Sequence, residues 1–219
     1  MNDQKKTEHY IEALLPERTG ILSEMESLAR EERVPIMEQT GLEAMLLMMS
    51  LHKPKRILEI GTAIGYSSLR MADRLKDSTV VTIERDEDRI RQARAFHERA
   101  NAQDRITIIE GDALETANQV SQLGPFDALF IDAAKGQYER FFELYEPMVN
   151  DGGVIFSDNI LFKGFVPGTR TPEKKRMEQM VKRLQQYNEA RMADGRFQSM
   201  IYPIGDGLMV SIKEPRNNG

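Results

Sequence analysis

Three oxygen-bearing side chains stand at the ends of two apolar runs. Asp132 closes the run 126–132, while Asp158 closes the run 153–158 with Asn159 immediately after it. If those runs are neighbouring strands, the three side chains converge on one point. Two carboxylates and an amide, with no Cys or His among them, are hard donors that suit Mg²⁺, Mn²⁺ or Ca²⁺ rather than zinc. Lys135, three residues after Asp132, can reach the same point. An amine beside a divalent cation is pushed toward its neutral form and can then act as a base. Taken singly, each acid reads as a helix cap or turn residue; the coincidence of all four carries the metal reading.

A second constellation surrounds the glycines at 61 and 65. The β-branched run 56–60, the two glycines and an amphipathic segment with Leu69, Met71, Ala72 and Leu75 read as strand, tight loop and helix. Glycine takes positive φ without strain, so backbone N–H groups and a helix N-terminus can lie against a small charged ligand. The G-x-x-x-G spacing is neither the dinucleotide fingerprint nor a P-loop and by itself identifies nothing. Two acids further along the chain are more informative. Glu84 ends the run 79–84 at the distance where a carboxylate can accept both hydroxyls of an adenosine ribose, and Asp86 is better placed to cap the next helix. Asp112, in Glu110-Gly111-Asp112-Ala113, either accepts the exocyclic amine of an adenine or caps a helix; the sequence leaves both open.

These residues need a sheet to hold them. Strands are expected at 56–60, 79–84, 105–110, 126–132 and 153–158, with helices near 65–76, 86–101, 113–122 and 136–146. That alternation predicts an α/β fold with a parallel sheet covered on both faces, whose ligands bind beyond the carboxyl ends of the strands. Two last runs, 197–202 and 208–212, flank Pro203-Ile204-Gly205-Asp206-Gly207 and predict an antiparallel hairpin at the sheet edge. Ahead of the sheet, residues 1–53 form a helical preface with segments at 4–15, 21–32 and 39–52. The last of these, with Leu42, Met45, Leu46, Met48 and Met49, is apolar nearly all round, which predicts buried packing or a subunit contact.

The 219 residues, 40% hydrophobic, suffice for one core and predict a single domain spanning 1–219. With no Cys, disulfides and thiolate metal sites are excluded. Residues 1–6 lack the apolar core of a signal peptide and no run approaches a membrane span, so a cytoplasmic location is expected. A formal charge of −5 argues against a chain that coats nucleic acid through bulk charge. Locally the sign reverses. Between 161 and 192, Lys163, Arg170, Lys174, Lys175, Arg176, Lys182, Arg183 and Arg191 outnumber Glu173, Glu178 and Glu189 in a loop that becomes a helix near Pro172. The stretch reads either as a solvated helix face or as a phosphate-contacting rim. His9, His52 and His97 fall on predicted helices away from the strand ends, which predicts surface or packing roles.

On the runs 59–67, 83–84, 111–113, 131–135 and 157–159, the chain resembles the cation-dependent S-adenosylmethionine O-methyltransferases, the catechol and caffeoyl-CoA family. The runs 34–37, 133–138, 158–164 and 203–207 are most similar to the bacterial branch that methylates 5-hydroxyuridine in tRNA. The resemblance implies a Rossmann-like class I methyltransferase, with a seven-stranded mostly parallel sheet, an antiparallel C-terminal hairpin and N-terminal helices. It implies that Met37, Gly61, Ser67, Glu84, Asp112, Ala113 and Asp132 hold S-adenosylmethionine. Asp132, Asp158 and Asn159 would ligate Mg²⁺ and Lys135 would be the catalytic base. It also implies tRNA as substrate, while the apolar segment 39–52 and the N-terminal helices predict a homodimer. No counterpart is identified for the acidic contact that the catechol enzymes place on their substrate hydroxyl. A nicotinamide dehydrogenase would use the glycine loop and Glu84 but leave Asp132, Lys135, Asp158 and Asn159 idle, and a non-catalytic cofactor- or RNA-binding module would need none of those four.

Overall fold

The computed structural model describes residues 3–215; Met1 and Asn2 of the expected preface, and 216–219, lie outside the described residues. Three helices come first, α1 (Asp3–Leu14), α2 (Gly20–Glu32) and α3 (Gln39–His52). Strands and helices then alternate through β1 (Arg56–Ile60), α4 (Tyr66–Arg74), β2 (Thr79–Glu84), α5 (Glu87–Arg99), β3 (Ile106–Glu110), α6 (Ala117–Ser121), β4 (Phe126–Ile131), α7 (Tyr138–Tyr145) and β5 (Val149–Ser157). The helix α8 (Lys175–Ala193) and the hairpin of β6 (Phe197–Tyr202) and β7 (Leu208–Lys213) complete the chain.

The strands form one seven-stranded sheet in the order β3-β2-β1-β4-β5-β7-β6. All pairings from β3 to β5 are parallel, while β7 runs antiparallel to both β5 and β6. The hairpin therefore enters with its second strand innermost, and β5 becomes an interior strand. Register matters for the site: Ile131 of β4 faces Ser157 of β5, so the residues that come next, Asp132 and Asp158, leave the sheet side by side.

Because side chains alternate along a strand, each face of the sheet collects its own core. One face takes Ile57, Ala128, Phe130, Val154 and Phe156 against the preface, α4 and α5, through Met25, Met45, Leu46, Met71 and Phe96. The other takes Leu58, Leu129, Ile131 and Ile155 against α7 and α8, through Phe142, Tyr145, Leu184 and Tyr187. A fully buried aliphatic or aromatic side chain contributes about 1.5–3 kcal/mol relative to exposure, so both layers weigh heavily in stability.

Three elements differ from the sequence expectation. Strand β5 starts at Val149, four positions before the expected 153, since Val149 already pairs with Phe126; Asn150, Asp151 and Gly152 fall in the irregularity before the register resumes at Val154. The helix expected over 113–122 shrinks to Ala117–Ser121, because the carboxylate of Asp112 binds the Leu114 amide at 2.9 Å and stabilises a turn instead. Helix α8 starts at Lys175, beyond Pro172. No helix among the described residues is long and apolar enough to cross a membrane.

Candidate active site

Beyond the carboxyl ends of β1, β2, β3 and β4 lies a cavity of about 510 Å³. Its wall includes Met37, Gly61, Ser67, Glu84, Asp112, Ala113, Asp132, Lys135 and Asn159. Of the cofactor, metal and base residues that the resemblance implies, Asp158 alone is not in this wall; it touches Asn159 and is 5% exposed.

Gly61 turns the chain out of β1 at φ +105°, its N–H donating to the Ile83 carbonyl at 3.1 Å. A Cβ there would lie 2.1 Å from the Asp132 carbonyl oxygen, so the close approach of β1 and β4 at the cavity floor requires glycine. Glu84 is fixed by backbone donors. One oxygen accepts from the Ala63 amide at 2.9 Å, and the other from the amides of Arg85 and Asp86 at 2.9 and 3.0 Å. Asp86 caps α5, accepting from the amides of Asp88 and Arg89 at 3.0 and 3.1 Å, which leaves Glu84 free of that duty. Asp112 holds a turn rather than capping α6, whose N-cap is Thr116; it pairs with Arg85 at 2.9 Å and lines the cavity. The Leu114 amide, followed by Arg85, keeps its carboxyl below the usual range.

Ser67 reaches the wall, but its hydroxyl is turned inward to donate to Glu59. Glu59 shares the sheet face of Ile57, is fully buried, and also accepts from the Thr82 hydroxyl at 2.6 Å. Burial pushes its carboxyl up to about 8, against the two hydroxyls that favour the anion. The acid is thus proton-bearing at neutral pH. A carboxyl whose folded pKa exceeds its unfolded value stabilises the fold below the unfolded value and loses that contribution as pH rises through the folded one. Glutamine is close in shape and stays neutral at every pH, with its carbonyl oxygen accepting from one hydroxyl and its amide donating to the other. Glu59→Gln is therefore expected to raise the melting temperature at pH 8 by roughly 5 °C and to leave it within about 1 °C at pH 5, as read by circular dichroism melts at the two pH values.

The preface supplies one side of the chamber. Pro35, Ile36 and Met37 wall the cavity from the connection between α2 and α3, and the Tyr66 hydroxyl at the start of α4 donates to Glu26 of α2. Burial, then Glu26, pushes that phenol up to about 12.

At the far side of the cavity the three expected metal ligands meet. Asn159 Nδ2 lies 2.6 Å from Asp158 Oδ2 and 3.4 Å from Asp132 Oδ1. The main chain at Asn159 is left-handed, φ +59°, a conformation asparagine tolerates better than most residues and one that turns its amide back over the strand ends. Burial first, and then its neighbour Asp132, holds the Asp158 carboxyl well above the usual carboxylate range. Asp132 is likewise raised by burial, with Lys135 opposing. Two crowded, desolvated acids and an amide fit a hard divalent ion, whose charge would replace the proton that their repulsion retains. Binding would need the Asn159 amide to present its oxygen, a half-turn of a group whose two ends differ only in hydrogen bonding. No group of three His, Cys, Asp or Glu side chains suited to a metal occurs among the described residues, so a metal held here would depend on the amide as its third ligand.

Lys135 opens a 3-10 turn after β4 and places Nζ 5.5 Å from the centre of the Phe162 ring. It also borders a second cavity, of about 520 Å³, walled by Tyr138, Arg140, Arg183 and Tyr187. Arg183 donates to the Gly136 carbonyl at 3.3 Å. The basic stretch is mostly exposed, with one correction: Arg191 is buried, pairs with Glu139 at 3.1 Å and stacks 4.0 Å from the Phe142 ring, so it leaves the rim.

Across residues 14–214, the chain matches the profile of the O-methyltransferase family. The chain belongs to that family. A catechol O-methyltransferase of Niastella koreensis is 33% identical over 76% of this O-methyltransferase and 78% of its own length. A candidate caffeoyl-CoA O-methyltransferase from Staphylococcus aureus superposes with TM-score 0.89 at 35% identity, covering 94% of this chain and 99% of that one. An O-methyltransferase from Bacillus cereus, solved with S-adenosylhomocysteine, gives TM-score 0.82 at 27% identity over 95% and 97% of the two chains. The fold is that of the class I methyltransferases, and this O-methyltransferase is S-adenosylmethionine-dependent.

Sequence reasoning missed Tyr66, Arg85, Phe162 and His97, which reach the site or its supporting loop only through the fold. Tyr66 alone carried a local signal, its position directly after Gly65.

Proposed function

We propose that this O-methyltransferase uses a divalent cation, Mg²⁺ or Mn²⁺, to methylate the 5-hydroxyl of 5-hydroxyuridine at the tRNA wobble position, giving 5-methoxyuridine. The observation that carries the cation dependence is the convergence of Asp132, Asp158 and Asn159 beside Lys135 at the cavity. Met37, Gly61, Ser67, Glu84, Asp112, Ala113 and Asp132 would hold S-adenosylmethionine, whose sulfonium supplies the methyl group; the glycine floor and the pinned Glu84 suit an adenosine with a charged tail. Asp132, Asp158 and Asn159 would hold the cation, which when bound lowers the pKa of a hydroxyl that has a second oxygen beside it. A 5-hydroxyl and its neighbouring 4-carbonyl offer that pair of oxygens, as a catechol does. Lys135 accepts the hydroxyl proton at Nζ, leaving an oxygen anion free to attack the methyl carbon. Tyr138 steadies this end of the site, its hydroxyl donating to the Asp158 carbonyl at 2.9 Å.

The choice of RNA rests on charge. Lys163, Arg170, Lys174, Lys175, Arg176, Lys182 and Arg183 are exposed on the loop and helix that come after Asp158 and Asn159, and Arg140 and Arg183 flank the second cavity next to Lys135. Phosphate contacts release counterions, so affinity for an anticodon stem-loop is expected to fall roughly tenfold or more between 50 and 200 mM salt. A small catechol should bind almost independently of salt. Fluorescence anisotropy across a salt series, with methyl transfer to 5-hydroxyuridine tRNA and to catechol measured in parallel, decides between them. A catechol or caffeoyl-CoA substrate is the second reading, favoured by the relative of that activity from Niastella koreensis; it predicts efficient turnover of the small molecule and none of the RNA. A cytoplasmic site of action fits a tRNA substrate. A homodimer is supported by the apolar side chains left exposed on two packed helices, Tyr10 and Leu14 of α1 with Leu47 (58% exposed) and Leu51 (78%) of α3.

A further inference from the structure

We propose that His97 is a positioning residue for the methyl-donor site, holding the 61–67 loop in place through the carbonyl of Gly65. This rests on the proposal that the loop holds S-adenosylmethionine. The sequence expectation of surface or packing roles holds, with His9 and His52 exposed and His97 packed, 2% exposed, directly behind the glycine loop, where its hydrogen bonds give it more to do than fill space.

Three donors gather on one oxygen. The Gly65 carbonyl takes the Leu69 amide at 3.1 Å, opening the hydrogen-bond ladder of α4, and the Ser68 hydroxyl at 3.1 Å, and it faces His97 Nε2 at 3.2 Å. Nε2 also lies 3.1 Å from the Ser68 hydroxyl. A carbonyl can only accept, so the hydrogen bond to Gly65 is made by the tautomer that carries the ring proton on Nε2. Burial keeps the ring below its ordinary pKa, which makes this the neutral tautomer with its donor aimed at the loop.

Shape adds to the hydrogen bond. Gly65 is left-handed, φ +81°, and a Cβ on it would come within 2.4 Å of Nε2. The imidazole occupies the space that any side chain at 65 would need, so loop and ring fit as a pair. Gly65 caps α4, and the residues on either side of it, Thr62, Ala63, Tyr66 and Ser67, form cavity wall. Removing the ring leaves a gap beneath that wall and takes away the one donor that ties the loop carbonyl to α5, and the wall is free to shift. No contact from His97 to a reacting atom is required, so the effect should fall on binding rather than on the chemical step.

The test is calorimetric titration of S-adenosylmethionine into the full-length protein and its variants, with steady-state kinetics alongside. His97→Leu is expected to weaken binding by about tenfold, the worth of one buried donor left out. The KM for S-adenosylmethionine should rise in step while kcat at saturation stays within about twofold, a purely uniform-binding loss. His97→Gln, whose terminal amide can place a donor near the same point, should recover binding to within about threefold. Should His97→Leu not fold, His97→Asn, which is too short to reach Gly65, takes its place with the same expectation. Binding within twofold of the parent in the donor-less variant overturns the proposal, as does a glutamine variant no better than the leucine one. Glu84→Ala keeps the two failures apart: if it too binds S-adenosylmethionine normally, the loop is not the cofactor site, whereas a loss there with none in His97→Leu leaves the site standing and removes His97 from it.

Discussion

Lys135→Ala lowers methyl transfer by about 10²–10⁴, the usual contribution of a general base, while calorimetry shows unchanged affinity for S-adenosylmethionine. The expectation comes from where the amine stands. Lys135 is in the wall of both cavities, with its Nζ 5.5 Å from the centre of the Phe162 ring and its charge felt by the carboxyls of Asp132 and Asp158. It is the basic side chain that stands nearest the convergence of those acids in the cavity wall, which also includes Arg85. Arginine cannot substitute, since its guanidinium stays protonated, so Lys135→Arg should be as slow as the alanine variant despite keeping the charge. Turnover near the parent rate in either variant would remove Lys135 from the proton-transfer step.

If the proposed cation site is right, Asp158→Ala is expected to remove cation-dependent activity, with a loss of at least about two orders of magnitude, and to abolish the rise in melting temperature that Mg²⁺ is expected to give the parent. The two readouts share one cause. In the ion-free protein Asp132 and Asp158 are desolvated together, and both carboxyls lie above their ordinary range. Groups of this sign stabilise the fold at low pH and lose that contribution as pH rises through their folded values. An ion bound only by the folded state adds RT ln(1 + [L]/Kd), so Mg²⁺ should raise the melting temperature of the parent most at the alkaline end. With one carboxylate gone there is neither repulsion to relieve nor a ligand set to relieve it. A parent enzyme indifferent to EDTA would end the cation scheme, and an Asp158→Ala protein that still melts later with Mg²⁺ would place the ion elsewhere.

The sheet was readable from sequence because parallel strands are buried on both faces and appear as continuous apolar runs, such as Phe126–Ile131. Where composition and tertiary pairing disagree, legibility fails. Asn150, Asp151 and Gly152 have no strand pattern, yet β5 runs through them, bridged by the pairing of Val149 with Phe126 before the regular register resumes at Val154. The site showed the same division. Acids at strand ends are visible one by one, and sheet order then brings Asp132 and Asp158 together. Side-chain direction is not visible. Whether the Ser67 hydroxyl faces the cavity or Glu59, whether Arg191 joins a basic surface or stacks on Phe142, and whether His97 meets solvent or the Gly65 carbonyl are all decided by residues distant in the chain.

The helical preface shares its core with distant parts of the chain. Met25, Leu42, Met45 and Leu46 pack in one cluster with Val154, Phe156 and Leu208. The preface is synthesised before Val154, Phe156 and Leu208, so its apolar face lacks these partners until the chain has reached the hairpin, and closing so long a loop is slow. The wall made by Pro35–Met37 is accordingly among the last parts of the chamber to be secured, and a nascent chain halted before the final hairpin would carry exposed methionines in place of a methyl-donor pocket.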